Sequence, residues 1–108
     1  MRDLVFNAER AGVAVSTQQS PADAFLRSLE TTPDFVLADP PRAGLGASVV
    51  KELTRLAPPR ITIVACDPAT LARDLAGLTA AGYEITGMTM IDLFPQTFHI
   101  ETVVHLRR

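Results

Sequence analysis

One uninterrupted unit near the middle of the chain constrains the fold most. Ile61-Thr62-Ile63-Val64-Ala65 is an apolar, β-branched run with the length of a buried strand. Cys66 follows it directly. Asp67 is then a good helix N-cap and Pro68 a good first helical residue, and Leu71, Leu75 and Leu78 form an i, i+4, i+7 core stripe up to Gly82. A strand that passes so abruptly into a helix belongs to a sheet with that helix packed back against it. The same turn sets the chain's one cysteine at the strand's C-terminal end. There the unpaired N–H groups and dipole of a helix start favour a thiolate. From local sequence, a reactive thiol and a small buried apolar residue fit this position about equally well.

The remaining elements alternate around this unit. Residues 2–11 can form a helix closed by Gly12, and Val13-Ala14-Val15-Ser16 is a short apolar strand candidate. Ser20 is expected to cap a helix that has Pro21 at its first position and Phe25, Leu26 and Leu29 on its apolar side. Residues 35–38 read as a buried strand ended by Asp39-Pro40-Pro41. Residues 46–56 read as a helix that buries Val49, Val50, Leu53 and Leu56. A strand within residues 83–93, a turn at residues 94–97 and a closing strand at residues 100–106 complete the series, the last two strands antiparallel. The pattern predicts an α/β fold: a mostly parallel sheet with an antiparallel last strand and helices on its faces.

Length and composition narrow the options further. With 108 residues, 47% of them hydrophobic, the chain suits one compact domain and leaves no room for a second. A formal net charge of −2 argues against strong nonspecific attraction to nucleic acid, so any RNA binding must be local or supplied by further sequence. The single cysteine excludes an internal disulfide or a CxxC motif and fits a reducing compartment, the cytoplasm by default. No stretch reaches the roughly 20 apolar residues of a membrane span, and the N-terminus lacks the apolar core of a signal peptide.

In such sheets chemistry gathers beyond the C-terminal ends of the strands. Asp39 and Cys66 both fall there. If the closing strand runs back antiparallel, Glu101 near its start reaches the same edge. Asp39 stands on a turn stiffened by two prolines, either as a fixed functional carboxylate or as a turn cap. Asp-Pro-Pro before an aromatic residue would suggest an amino-methyltransferase, but Arg42 follows instead. Glu101, among Ile100, Thr102, Val103 and Val104, is either an exposed strand residue or a proton acceptor. His99 and His105 read as surface or hydrogen-bonded residues, and no metal site is expected.

Three ordered blocks carry a family resemblance over most of the chain. Asp39-Pro40-Pro41-Arg42-Ala43-Gly44-Leu45, then Cys66-Asp67-Pro68-Ala69-Thr70-Leu71-Ala72-Arg73-Asp74, then Asp92-Leu93-Phe94-Pro95-Gln96-Thr97 with His99-Ile100-Glu101 closely resemble the bacterial RNA 5-methyluridine methyltransferases. The resemblance implies a partial Rossmann-like fold that uses S-adenosylmethionine as methyl donor. It also implies a covalent reaction in which the Cys66 thiolate adds to uracil C6, C5 takes the methyl group and Glu101 removes the C5 proton. Asp39 would lie where methyl donor and target base meet, and Arg42 would contact RNA. The target nucleotide would have to leave its stack. Residues 100–104 look more like the ribosomal RNA members than the transfer RNA members.

Two features of that family are not found before Asp39: a glycine-containing loop for the methyl donor and an acidic residue for its ribose. Also absent are an N-terminal RNA-binding domain and the iron–sulfur cysteine cluster of some members. The chain is therefore expected to be the C-terminal portion of a catalytic domain, inactive alone. Its exposed sheet edges should lead to altered pairing within the chain or to a homodimer by strand exchange. Two other readings compete: a noncatalytic RNA-binding or assembly module, and a Cys–His hydrolase using Cys66 and His99.

Overall fold

The computed structural model describes residues 7, 9–12, 14–92 and 100–108. Its elements, in chain order, are α1 (Ala22–Ser28), β1 (Phe35–Ala38), α2 (Gly46–Leu56), β2 (Arg60–Ala65), α3 (Pro68–Ala80), β3 (Glu84–Asp92) and β4 (Ile100–Arg107). The strands form one sheet in the order β1-β2-β4-β3. β1 and β2 are parallel, with Val36 opposite Ile61. β4 runs antiparallel between β2 and β3, so Val104 faces Ile63 on one side and Met88 on the other.

The α3 unit forms as its sequence dictates. Asp67 has extended backbone (φ −122, ψ 114) and its Oδ1 accepts from the Ala69 N–H at 2.9 Å and the Thr70 N–H at 3.3 Å. Leu71, Leu75 and Leu78 are buried, and Gly82 leaves the helix region at φ +105, where a side chain would be strained. α2 also has its expected bounds. It ends in a left-handed Ala57 (φ 52, ψ 50), whose N–H returns to the Leu53 carbonyl at 2.8 Å.

Two expectations fail toward the N-terminus. Residues 14–16 are in no strand. Val15 is 46% exposed, and the run has no neighbouring strand among the described residues to exchange hydrogen bonds with. Ser20 does not cap α1. Pro21 (ψ 143) occupies the cap position without a side-chain bond, and Asp23 supplies the acceptor in the first turn, to the Ala24 N–H at 2.9 Å. Phe25 is 37% exposed, so Leu26 carries the burial of this helix. Residues 9–11 are helical. The rest of the first helix, apart from Asn7, lies outside the described residues, as do Val13, the turn at residues 94–97 and His99.

All of the main core lies on one face of the sheet. Ile61, Ile63 and Ala65 of β2 and Val104 and Leu106 of β4 meet Leu26, Leu53, Leu56, Leu71, Leu75 and Leu78 of the three helices. The side chains that alternate with them point the other way. There Thr62 Oγ1 and His105 Nδ1 are 2.9 Å apart, and Phe35 and Leu37 are largely exposed.

Candidate active site

β1 and β2 run in the same direction and finish at the same edge, so Asp39 and Cys66 emerge side by side in the sheet order. In the β2–β4 ladder the last paired residues are Ala65 and Thr102. The next step along the two strands brings Cys66 and Glu101 together. Glu101 pairs with Ile91 on its other side, which keeps it within the ladder. Three of the residues singled out by sequence thus share one edge. Cys66 is exposed, which removes the reading of an inert buried thiol. No hydrogen-bond or ion-pair partner is found for the side chains of Asp39, Cys66 or Glu101 among the described residues.

Arg42 lies on the turn between β1 and α2. The Gly44 N–H closes this turn on the Pro41 carbonyl at 2.8 Å, and Gly44 and Gly46 have φ +81 and +83. The turn is tied to α3 by hydrogen bonds. Thr70 Oγ1 donates to the Arg42 carbonyl at 3.0 Å, Arg73 Nη2 donates to the Ala43 carbonyl at 2.8 Å, and Asp74 Oδ2 accepts from the Leu45 N–H at 2.7 Å. The backbone of Arg42 is therefore held while its guanidinium, exposed, has no partner among the described residues. Thr70, Arg73 and Asp74 were not recognised from sequence as more than part of a matched block. A signal was present: α2 begins after Ala43-Gly44-Leu45 with no Ser, Thr, Asp or Asn to cap it, so its first N–H groups needed an acceptor from elsewhere.

A cleft of about 730 Å³ opens along the outer side of β1, with Phe25, Leu26, Val36, Ala38, Asp39 and Leu45 among its walls. It is apolar apart from the carboxylates at its margin. His105 sits opposite Thr62, well down the sheet from Cys66, so it does not join the edge cluster. Among the described residues no group of three or more His, Cys, Asp or Glu could hold a metal. No described helix is long and apolar enough to cross a membrane.

Architecture and edge cluster together define a Rossmann-like methyltransferase domain. The precorrin-6y C5,15-methyltransferase of Geobacter metallireducens superposes with a TM-score of 0.67 over 99% of this chain and 60% of that one, and at 16% identity this likeness shows the fold alone. The family model described as tRNA (Uracil-5-)-methyltransferase matches residues 23–108, and the chain belongs to that family. It is 49% identical over 82 residues to an uncharacterized RNA methyltransferase of Thermotoga maritima, covering 76% of this chain and 19% of that protein. It is also 49% identical over 75 residues to the 23S rRNA (uracil(1939)-C(5))-methyltransferase RlmD of Salmonella choleraesuis, covering 69% of this chain and 17% of that protein. The tRNA (uracil-54, C5)-methyltransferase of Pyrococcus abyssi, solved in complex with S-adenosyl-L-homocysteine, matches with a TM-score of 0.81 at 36% identity. That match covers 95% of this chain and 25% of that chain. The chain spans less than a fifth of the length of these two curated relatives.

Proposed function

We propose that this chain is the nucleophile-bearing C-terminal portion of an S-adenosylmethionine-dependent RNA methyltransferase that modifies uracil at C5, with 23S ribosomal RNA as the favoured substrate. The observation that carries the reading is the ladder step that sets Cys66 beside Glu101 at the C-terminal edge of the sheet, both side chains without a partner among the described residues. Cys66, exposed and just ahead of α3, adds as a thiolate to C6 of an extruded uracil and leaves C5 nucleophilic. After C5 has gained the methyl group, Glu101 takes the C5 proton, and the C6–S bond breaks to return the thiolate and the 5-methyluracil. Arg42, its backbone fixed and its guanidinium exposed and without a partner among the described residues, makes a charge-assisted contact to an RNA phosphate.

S-adenosylmethionine, when bound, supplies the methyl group from a sulfonium centre. The residues present suit one side of it: Asp39, with Asp23, adds a carboxylate to the wall of a mainly apolar cleft, which favours a cationic centre. The glycine loop and ribose-binding acid fall to sequence beyond this chain, so the chain alone binds the donor weakly and completes no methyl transfer. The free edges of β1 and β3 offer backbone pairing for a homodimer of the isolated chain.

The test uses 5-fluorouridine RNA with S-adenosylmethionine, because fluorine at C5 cannot leave as a proton and the adduct persists. A chimera carries this chain's matching segment in place of that of the Thermotoga relative. It is expected to form a covalent RNA adduct that Cys66→Ala abolishes, while the 108-residue chain alone forms none. A chimera that methylates unsubstituted RNA with Cys66→Ala in place would overturn the mechanism. Adduct formation by the chain alone would overturn its inactivity.

A further inference from the structure

α2 starts without its own cap. No side chain at Leu45 bonds the helix start, and no acidic residue stands in its first turn. Its first N–H groups are taken instead by a carboxylate from another helix: Asp74 Oδ2 accepts from Leu45 N at 2.7 Å and Oδ1 from Gly46 N at 3.3 Å. Asp74 is 3% exposed. A carboxylate this buried survives only when its oxygens are satisfied, and Arg73 completes the set, with Nε and Nη2 at 3.3 and 3.1 Å from Oδ1.

The neighbouring side chains continue the same contact. Arg73 Nη2 also reaches the Ala43 carbonyl and Thr70 Oγ1 the Arg42 carbonyl. Thr70, Arg73 and Asp74 stand at i, i+3 and i+4 on α3 and so share one side of the helix. That side is given to backbone groups of residues 42–46 rather than to the apolar core. Gly44 lies between them. A Cβ there would come within 2.6 Å of Asp74 Oδ2, 2.8 Å of Arg73 Nη2 and 3.0 Å of Thr70 Cβ, at a φ of +81 that side chains rarely adopt. The turn therefore fits closely against this side of α3, and α3 itself begins two residues after Cys66.

We propose that Asp74 is a positioning residue: by capping α2 from α3, its carboxylate holds the turn that bears Asp39 and Arg42 in fixed register with Cys66. The role rests on the reading that these side chains act together on one RNA base. It differs from a purely stabilising cap because the held element carries side chains without a partner among the described residues and the holding element starts two residues after the nucleophile. A shift of about 1 Å between them is enough to slow a covalent step about 100-fold.

Two measurements test it. In the 108-residue chain, amide hydrogen exchange at Leu45 or Gly46 should accelerate at least about tenfold in Asp74→Asn, whose NH2 group replaces one of the two accepting oxygens. In the chimera, Asp74→Asn and Gly44→Ala should lower the rate of adduct formation at saturating 5-fluorouridine RNA by about 10- to 100-fold, with RNA affinity changed by less than about threefold. Thr70→Ser should keep the rate that Thr70→Val loses. Leu78→Val, a core change away from the turn, should leave the rate near that of the parent at a comparable fall in Tm. Unchanged exchange in Asp74→Asn overturns the cap. A rate loss no greater than that of Leu78→Val at equal Tm overturns the positioning role. If exchange accelerates but the unmutated chimera forms no adduct, the cap stands while the reaction assigned to Cys66, and the positioning role with it, fails.

Discussion

Across β1, β2 and β4 the two faces of the sheet differ sharply, whereas on β3 Met88 and Met90, on the helix-side face, are 52% and 67% exposed. On the helix side, Ile61, Leu78 and Val104 are 0% exposed and Ile63 and Leu53 1%. On the opposite side, Phe35 is 52% and Leu37 65% exposed. β1 belongs to both: Val36 and Ala38 pack against the core, and their immediate neighbours Phe35 and Leu37 point away from it. Strands of parallel sheets read as continuous apolar runs because both faces are covered. Phe35-Val36-Leu37-Ala38 is such a run, in a sheet that the helices among the described residues cover on one side. The sequence of β1 thus calls for a second layer that the described residues do not provide, and the chain matches 19% of its Thermotoga relative.

The largest effect expected from this contrast is on the covered face. Leu78→Ala removes a fully buried side chain from the contact between α3 and the sheet. It should cost about 2–5 kcal/mol, a large share of the roughly 5–15 kcal/mol that holds a domain together. Urea denaturation would show a lower midpoint at an unchanged slope. A loss under about 1 kcal/mol would mean that the helix layer is not the core, and the contrast would collapse.

Tyr83 tests how tightly that layer is closed at its end. Tyr83 is 4% exposed, and its hydroxyl donates to the Pro58 carbonyl at 2.6 Å. Burial pushes its pKa above the ordinary 10.0, and the Arg108 guanidinium, 5.4 Å from the ring centroid, opposes the rise. Because the folded value is the higher one, the contribution is fully present below pH 10 and is lost as pH climbs through the folded value. Stability should therefore decline above about pH 10. Tyr83→Phe should cost about 1–2 kcal/mol at neutral pH by leaving the Pro58 carbonyl without its donor, and should show a shallower alkaline decline. An equal decline in both proteins would place its cause elsewhere.

Sequence was most informative where local rules and packing agree. The strand before Cys66, the Asp67 cap and the Leu71, Leu75, Leu78 stripe all demanded one conformation, and the structure has it. The bounds of α2 could be read from its apolar spacing. Residues 14–16 misled because β-propensity describes fit to neighbouring strands, and no described strand lies beside them. The edge shared by Asp39, Cys66 and Glu101 followed from strand direction alone. The Asp74 contact did not, since 29 residues separate Asp74 from Leu45 and only the folded chain brings an acceptor to an uncapped helix. That the described residues leave one face of β1 exposed was equally hidden. Apolar alternation shows which side chains seek cover, and says nothing of whether the same chain supplies it.

The smallest effect is the most discriminating. Leu37→Thr introduces a β-branched residue with good strand propensity and removes apolar surface that is 65% exposed. In the isolated chain its effect on folding should stay within about 0.5 kcal/mol, while self-association followed by sedimentation should weaken because the exposed patch has shrunk. In the chimera the remainder of a methyltransferase is available to cover this face, and the same change should cost about 1.5–3 kcal/mol, the value of burying a leucine. The difference between the two backgrounds, rather than either number, measures the second layer. A comparable loss in both would mean that the isolated chain already covers Leu37, by a second copy if the Tm depends on concentration and by the chain's own residues if it does not. No loss in either would mean that the face stays bare in the larger protein, and that the apolar run of β1 reflects something other than burial on both sides.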